Sequence, residues 1–164
     1  MTKAIGIRSS PSQIYFTVVD DEGGNLGHGS PQYLTVPRDA LEGPSLAQYV
    51  RTNILDVLNA QRVNAACVKE ADYHPQATGN PQRYRIEGVI QEAVASSAAN
   101  HYIAGDVNTL SPYLGLSSAK FREIKSGGSW SGVSDSDWES YNPEEIESIL
   151  AAYAAFKSYD QSQK

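Results

Sequence analysis

Lys3-Ala-Ile-Gly-Ile-Arg8, then Ser9-Ser-Pro-Ser12, then Gln13-Ile-Tyr-Phe-Thr-Val-Val-Asp20, is the stretch on which the reading of this chain turns. Two apolar runs, rich in β-branched and aromatic residues, flank a four-residue polar turn that contains Pro11, the pattern of a β-hairpin. Ile5 and Ile7 share one face of the first run, with Gly6 between them. That run reads as the central strand of a sheet, and Arg8 at its end faces whatever site the sheet builds.

Working outward, Asp20-Asp-Glu-Gly-Gly-Asn25 is ordinary turn chemistry and lacks the spacing of a calcium loop. Tyr33-Leu-Thr-Val-Pro37 reads as a third strand stopped by proline. Leu46, Tyr49, Val50, Ile54, Val57 and Leu58 recur at helical spacing between Pro44 and Ala60, a helix with proline in its first turn. Ala65-Ala-Cys-Val-Lys-Glu70 has the composition of a buried parallel strand, docked beside the first through a right-handed crossover. Asn80 caps a second helix whose stripe is Ile86, Val89, Ile90, Ala93, Val94, Ser97 and Ala98. His101 to Gly105 is a fifth strand, followed by a short helix around Ala119 to Ile124. Asn142-Pro-Glu-Glu145 is a capping box opening a last helix with Ile146, Ile149, Leu150 and Tyr153 on its apolar face, and Asp160 to Lys164 reads as a frayed tail. The segment 126–141 is rich in Gly and Ser yet holds both tryptophans, Trp130 and Trp138, so it is expected to pack on the body rather than to act as a linker.

The 164 residues suit one domain, 1–164, with 126–141 as an irregular loop. Hydrophobic residues at 40% and charged residues at 20% exclude a disordered chain. Nineteen acids against 13 Lys and Arg give a net charge of −6, which argues against a protein that coats nucleic acid non-specifically but leaves room for a local basic groove. A single cysteine, Cys67, an N-terminus without a secretory apolar region and no apolar run of bilayer length lead to an expected cytoplasmic location and no membrane partner.

Three meander strands, helix, strand, helix, strand, helix, helix is the ribonuclease H-like order. The expected fold is therefore α/β, a five-stranded mixed sheet in the order 3-2-1-4-5 with helices on both faces. The residues narrow this further. Ala4-Ile-Gly-Ile-Arg8 and the strand after it resemble the first hairpin of RuvC-type Holliday-junction resolvases, in which a Gly-Ile-Asp triplet ends the first strand. Ala66-Cys-Val-Lys-Glu70 is similar to their fourth strand, which ends in a catalytic Glu. Glu144 and Glu147 ahead of Ile149-Leu-Ala-Ala-Tyr153 resemble their last helix, where two acids three apart precede small residues. The resemblance implies a two-metal phosphodiester site, with magnesium or manganese held by carboxylates at strand ends and on the last helix.

Arg8 stands where the family has its first Asp, and an arginine cannot ligate a metal. This favours a catalytically degenerate RuvC-like domain with no metal cofactor, acting as a binding or scaffold protein in a nucleic-acid-related system, with a protein partner and nucleic acid as a second candidate. Arg8 is expected to pair with Glu70. The alternative is an active magnesium-dependent nuclease with displaced ligands, Glu70, Asp72, Glu144 and Glu147, of which Glu70, Glu144 and Glu147 would hold the metal. Acids in a first helical turn also favour the macrodipole, so Glu144 and Glu147 have a purely structural explanation. Lys69, Arg83, Arg85, Lys120, Arg122 and Lys125 are the basic grouping, a candidate phosphate-facing groove against a default reading as a solvated face, and the binding candidates are Arg8, Arg83, Arg85, Lys120 and Arg122. Glu70, Asp72 and His74 alternate, but Pro75 and Gly79 mark a loop there. Cys67 reads as an inert buried thiol, and His28 and His101 have no partner identifiable from sequence.

Overall fold

The computed structural model describes residues 1–72 and 79–164; His74 and Pro75 lie outside the described residues. β1 (Lys3–Ser9) and β2 (Gln13–Asp20) form the hairpin, with Lys3 opposite Asp20 and Ser9 opposite Ile14. Its turn is closed by the Ser10 N–H, which donates to the Gln13 carbonyl at 2.7 Å. β5 (Ala65–Lys69) lies parallel to β1, and β6 (His101–Gly105) lies parallel to β5. Asn64 sets the start of that register: its Oδ1 accepts from Lys3 N–H at 2.9 Å, and its own N–H donates to the Lys3 carbonyl at 2.8 Å.

The outer edge differs from expectation. Two short strands, β3 (Gly27–His28) and β4 (Gln32–Thr35), both pair antiparallel with β2, at its two ends. The expected third strand is β4, and β3 is an addition, so the sheet has six strands in the order β3-β2-β1-β5-β6 with β4 also on β2. The central order 2-1-4-5 of the sequence reading holds.

Strand alternation divides the core. Ile5, Ile7, Ile14, Phe16, Ala66 and Val68 face α1 (Gly43–Gln61) and α2 (Pro81–Ala95), which contribute Leu46, Val50, Ile54, Leu58, Ile86 and Ile90. Ala4, Val19, Ala65 and Cys67 face α5 (Pro143–Ser162), together with Phe121 and Ile124 of α4 (Ser118–Lys125) and Val107 and Leu110 of the single-turn α3 (Val107–Leu110). Burying each large aliphatic side chain of these layers stabilises the fold by about 1.5–3 kcal/mol. Gly6 is what lets α5 approach: a Cβ there would lie 2.1 Å from the Ser148 carbonyl oxygen and 2.2 Å from the Ala152 nitrogen. Hence α5, buried from Ile146 to Ala155, runs directly across β1 on small residues.

The expected caps form. Asn80 Oδ1 accepts from the Gln82 and Arg83 N–H groups, and Asn142 and Glu145 make a complete capping box. The tail is more ordered than expected, since α5 continues through Asp160 to Ser162. Segment 126–141 packs on the body: Trp138 is buried with its Nε1–H donating to the Gly128 carbonyl at 3.0 Å, and Trp130 meets Tyr153 edge-on at 5.1 Å. Among the described residues no helix is long and apolar enough to cross a membrane.

Candidate functional site

The carboxyl ends of β1 and β5 carry the site, where ligands generally bind in open α/β sheets. In the parallel register Arg8 is opposite Lys69, and both side chains point to the α5 face. Glu70 is one residue further on and projects to the opposite face, where its Oε1 accepts from Gln91 Nε2 at 3.1 Å. The expected Arg8–Glu70 pair is therefore not made. Arg8 pairs instead with Glu147, Nε to Oε1 at 3.4 Å, and its Nη1 donates to the Ser9 carbonyl at 2.6 Å.

Lys69 is the centre of the arrangement. Only 1% of its side chain is exposed, and its ammonium sits 2.6 Å from the Glu70 carbonyl oxygen, 3.0 Å from Asp72 Oδ1 and 3.1 Å from Glu147 Oε2. The contact with Glu147 Oε2 is off the line of a directed hydrogen bond and is an ion pair. Lys125, the last residue of α4, adds a looser cation 3.7 Å from both Asp72 Oδ2 and Glu147 Oε1. Burial alone would raise the Glu147 carboxyl, but Lys69, Arg8 and Lys125 outweigh it and hold it below its ordinary value. Asp72 is likewise lowered: against its burial stand the Val107 N–H, which donates to it at 3.0 Å, and Lys69.

Three cations thus surround two carboxylates, an excess of one positive charge where a two-metal site needs converging oxygens. Among the described residues no group of three or more His, Cys, Asp or Glu side chains converges to hold a metal. Glu147 is committed to cations, Glu70 faces the other layer, and Glu144 lies in the first turn of α5 near Tyr15. These residues do not fit a magnesium or manganese pair.

The other candidate cations are not gathered here. Arg83 pairs with Glu87 at 2.9 Å, and burial raises the Glu87 carboxyl despite that partner. Arg85 is exposed beside a groove of about 840 Å³ between α1 and α2. Lys120 pairs with Glu123 at 3.0 Å, and Arg122 is exposed. Lys69 and Lys125 belong to the basic grouping read from the sequence, but their place beside Arg8, around Glu147 and Asp72, was not part of that reading. Lys69 was legible in principle, because strict alternation from Cys67 places it, rather than Glu70, on the Arg8 face.

His28 and His101 also have partners. His28 Nε2 is 2.7 Å from Asp135 Oδ2 and its Nδ1 is 3.2 Å from Tyr153 Oη, tying loop 126–141 to β3 and α5. Burial and the Asp135 charge push the Tyr153 phenol up to about 12. His101 Nε2 meets Ser158 Oγ at 2.8 Å. Cys67 is fully buried, which raises its thiol far above the usual range and leaves it unreactive.

A hairpin strand at the sheet centre, two parallel strands beside it and a last helix crossing the first strand define a ribonuclease H-like fold of the RuvC kind. The structure matches Thermus thermophilus RuvC with a TM-score of 0.72 at 13% identity, over 98% of this chain and 97% of that one. T. thermophilus RuvC in complex with a Holliday junction substrate matches at 0.64 and 14% identity, over 98% and 96% of the two chains. The yeast mitochondrial Holliday junction resolvase matches at 0.59 and 10% identity, over 99% and 80%. No protein-family model and no curated protein matches this sequence. At such identities the likeness is one of fold.

Proposed function

We propose that this chain is a catalytically degenerate RuvC-like domain that binds nucleic acid through the carboxyl end of its sheet and does not cleave it. The observation that carries the reading is the Lys69 ammonium, held by three oxygens from Glu70, Asp72 and Glu147 with Arg8 beside it. Two protein cations occupy the carboxyl ends of β1 and β5, where the resemblance implies carboxylate ligands. A divalent ion brought there would meet their charge directly, at several kcal/mol of repulsion for contacts of about 4 Å.

Phosphodiester binding follows from the excess of cations. Arg8 and Lys125 retain partial exposure, and the two 3.7 Å contacts of Lys125 are long enough to yield to a phosphate oxygen. The fold neighbour solved with a Holliday junction makes branched nucleic acid the first ligand to try.

The test is binding and cleavage measured on the same branched and single-stranded DNA and RNA, with magnesium and with manganese. Binding without cleavage is expected. Lys125→Ala should lower affinity similarly for all sequences and reduce the slope of log K against log salt by roughly 0.7 on single strands. Robust metal-dependent cleavage by wild type, abolished by Glu70→Gln, would replace this reading with the displaced-ligand nuclease. Absence of binding to every nucleic acid tried would remove the nucleic-acid half of it.

A further inference from the structure

One row of cross-strand partners runs over the sheet on the α5 face. Lys69 of β5 is opposite Arg8 of β1, Arg8 is opposite Tyr15 of β2, and Tyr15 is opposite Tyr33 of β4. Partners in register project to the same face, so two cations and two phenol rings stand in line. Tyr15 and Tyr33 are in contact, with ring centroids 6.1 Å apart and planes tilted by 51°.

The two rings differ in exposure. Tyr15 is buried, and its hydroxyl donates to Gln13 Oε1, which fixes it as a support. Tyr33 is 59% exposed, the most open aromatic side chain among the described residues, on an edge strand whose Gln32 and Thr35 are also exposed. An ordered ring, braced on one side and open on the other, is a stacking surface. Two strand spacings, about 10 Å, separate the backbones of Tyr33 and Arg8, within the span of a nucleotide and its neighbouring phosphates.

The charges around the row decide which part of a ligand goes where. Glu144 and Glu145, in the first turn of α5, face Tyr15, and Glu145 is engaged with the Asn142 N–H. A phosphate is disfavoured over Tyr15 and favoured at Arg8 and Lys125, whereas a neutral base is tolerated at Tyr33.

We infer that Tyr33 is a stacking platform for an unpaired base of a single-stranded nucleic acid whose phosphates lie at Arg8 and Lys125. Its geometry suits a single strand, because bases in a duplex present edges and not faces. This rests on the nucleic-acid reading above and adds the strandedness of the ligand.

The experiment is fluorescence anisotropy with a labelled oligodeoxythymidylate and a duplex of the same length, using wild type, Tyr33→Ala, Tyr33→Phe and Lys125→Ala. Tyr33→Ala should weaken single-strand binding by roughly ten- to a hundredfold with the salt slope unchanged, and leave duplex binding as in wild type. Tyr33→Phe should keep most of the affinity, and Lys125→Ala should lower the salt slope for both ligands. Wild-type binding that Tyr33→Ala leaves untouched, or weakens equally for duplex and single strand, overturns the platform while sparing the nucleic-acid reading. No binding by wild type overturns both. Because Tyr33 is exposed, unchanged thermal melting of Tyr33→Ala is expected and separates lost contact from lost fold.

Discussion

Glu147→Gln is the substitution that most directly probes the site, because it removes one charge and almost no volume. Glu147 has cations at 3.1, 3.4 and 3.7 Å from Lys69, Arg8 and Lys125. At an effective dielectric constant of about 20, each such pair has a gross attraction of about 4–5 kcal/mol. Desolvation offsets most of that in the intact cluster, so the ion pairs add little net stability. The offset fails when one partner goes. Lys69 would remain buried beside Arg8 with Asp72 as its single carboxylate, and breaking a buried pair in this way costs about 3–5 kcal/mol. Asp72 is partly exposed and already 3.0 Å from Lys69, which places the expectation near the lower end, about 3 kcal/mol. In calorimetry that is a fall in Tm of about 6–12 °C for a chain of this size. Urea unfolding at neutral pH should give the same loss through a lower midpoint with an unchanged m-value. Glu144→Gln is the control, without an ion-pair partner among the described residues, and should stay within about 0.5 kcal/mol of wild type. A Glu147→Gln protein as stable as wild type would refute the cluster. Simultaneous replacement of Arg8, Lys69 and Glu147 by Met, Met and Leu should recover much of the loss, since an apolar trio leaves no stranded charge.

Two further outcomes follow from the same geometry. Arg8→Asp with Lys69→Glu turns the row at the carboxyl ends of β1 and β5 into carboxylates facing Glu147, so manganese binding by calorimetry or paramagnetic relaxation is expected in the double variant and not in wild type. Equal manganese binding by the two proteins would mean that the cations do not govern the site. The folded pKa values of Glu147 and Asp72 lie below their unfolded values, so their stabilisation is complete above about pH 4.3 and is lost as pH falls through the folded values. Wild type should therefore lose Tm more steeply than Glu147→Gln below about pH 4.3, and parallel curves would contradict the depressed Glu147 carboxyl.

The central order of the sheet was legible because its signals are local and mutually consistent. The Ile5 and Ile7 run, the 3.6-residue stripes of α1 and α2, and the caps at Asn80 and Asn142 each point to an element type that tertiary packing then used unchanged. What escaped was set by contacts distant in sequence. β3 is two residues in a Gly-rich turn, and it exists because Gly27 and His28 pair with Asp20 and Val19 and because Asp135, more than a hundred residues later, anchors the His28 ring. The Asp160 to Lys164 tail has no apolar stripe to announce a helix, yet α5 continues through Asp160 to Ser162 and Lys164 pairs with Asp160 at 2.8 Å.

The site turned on a phase of one residue. A conspicuous Glu70 after an apolar run draws the eye as the acid of the pair, but side chains alternate, and the parallel register that puts Ala4 beside Ala65 also puts Arg8 beside Lys69. Once that register is known, the chain has not one but two cations at adjacent strand ends, and Glu147 on α5 is the acid that faces them. Glu147 is 2% exposed, which a carboxylate tolerates only with partners. Here Lys69 and Arg8 are those partners, supplied from within the chain. The same parity carries the row outward to Tyr15 and Tyr33, so that two cations and two rings stand in line.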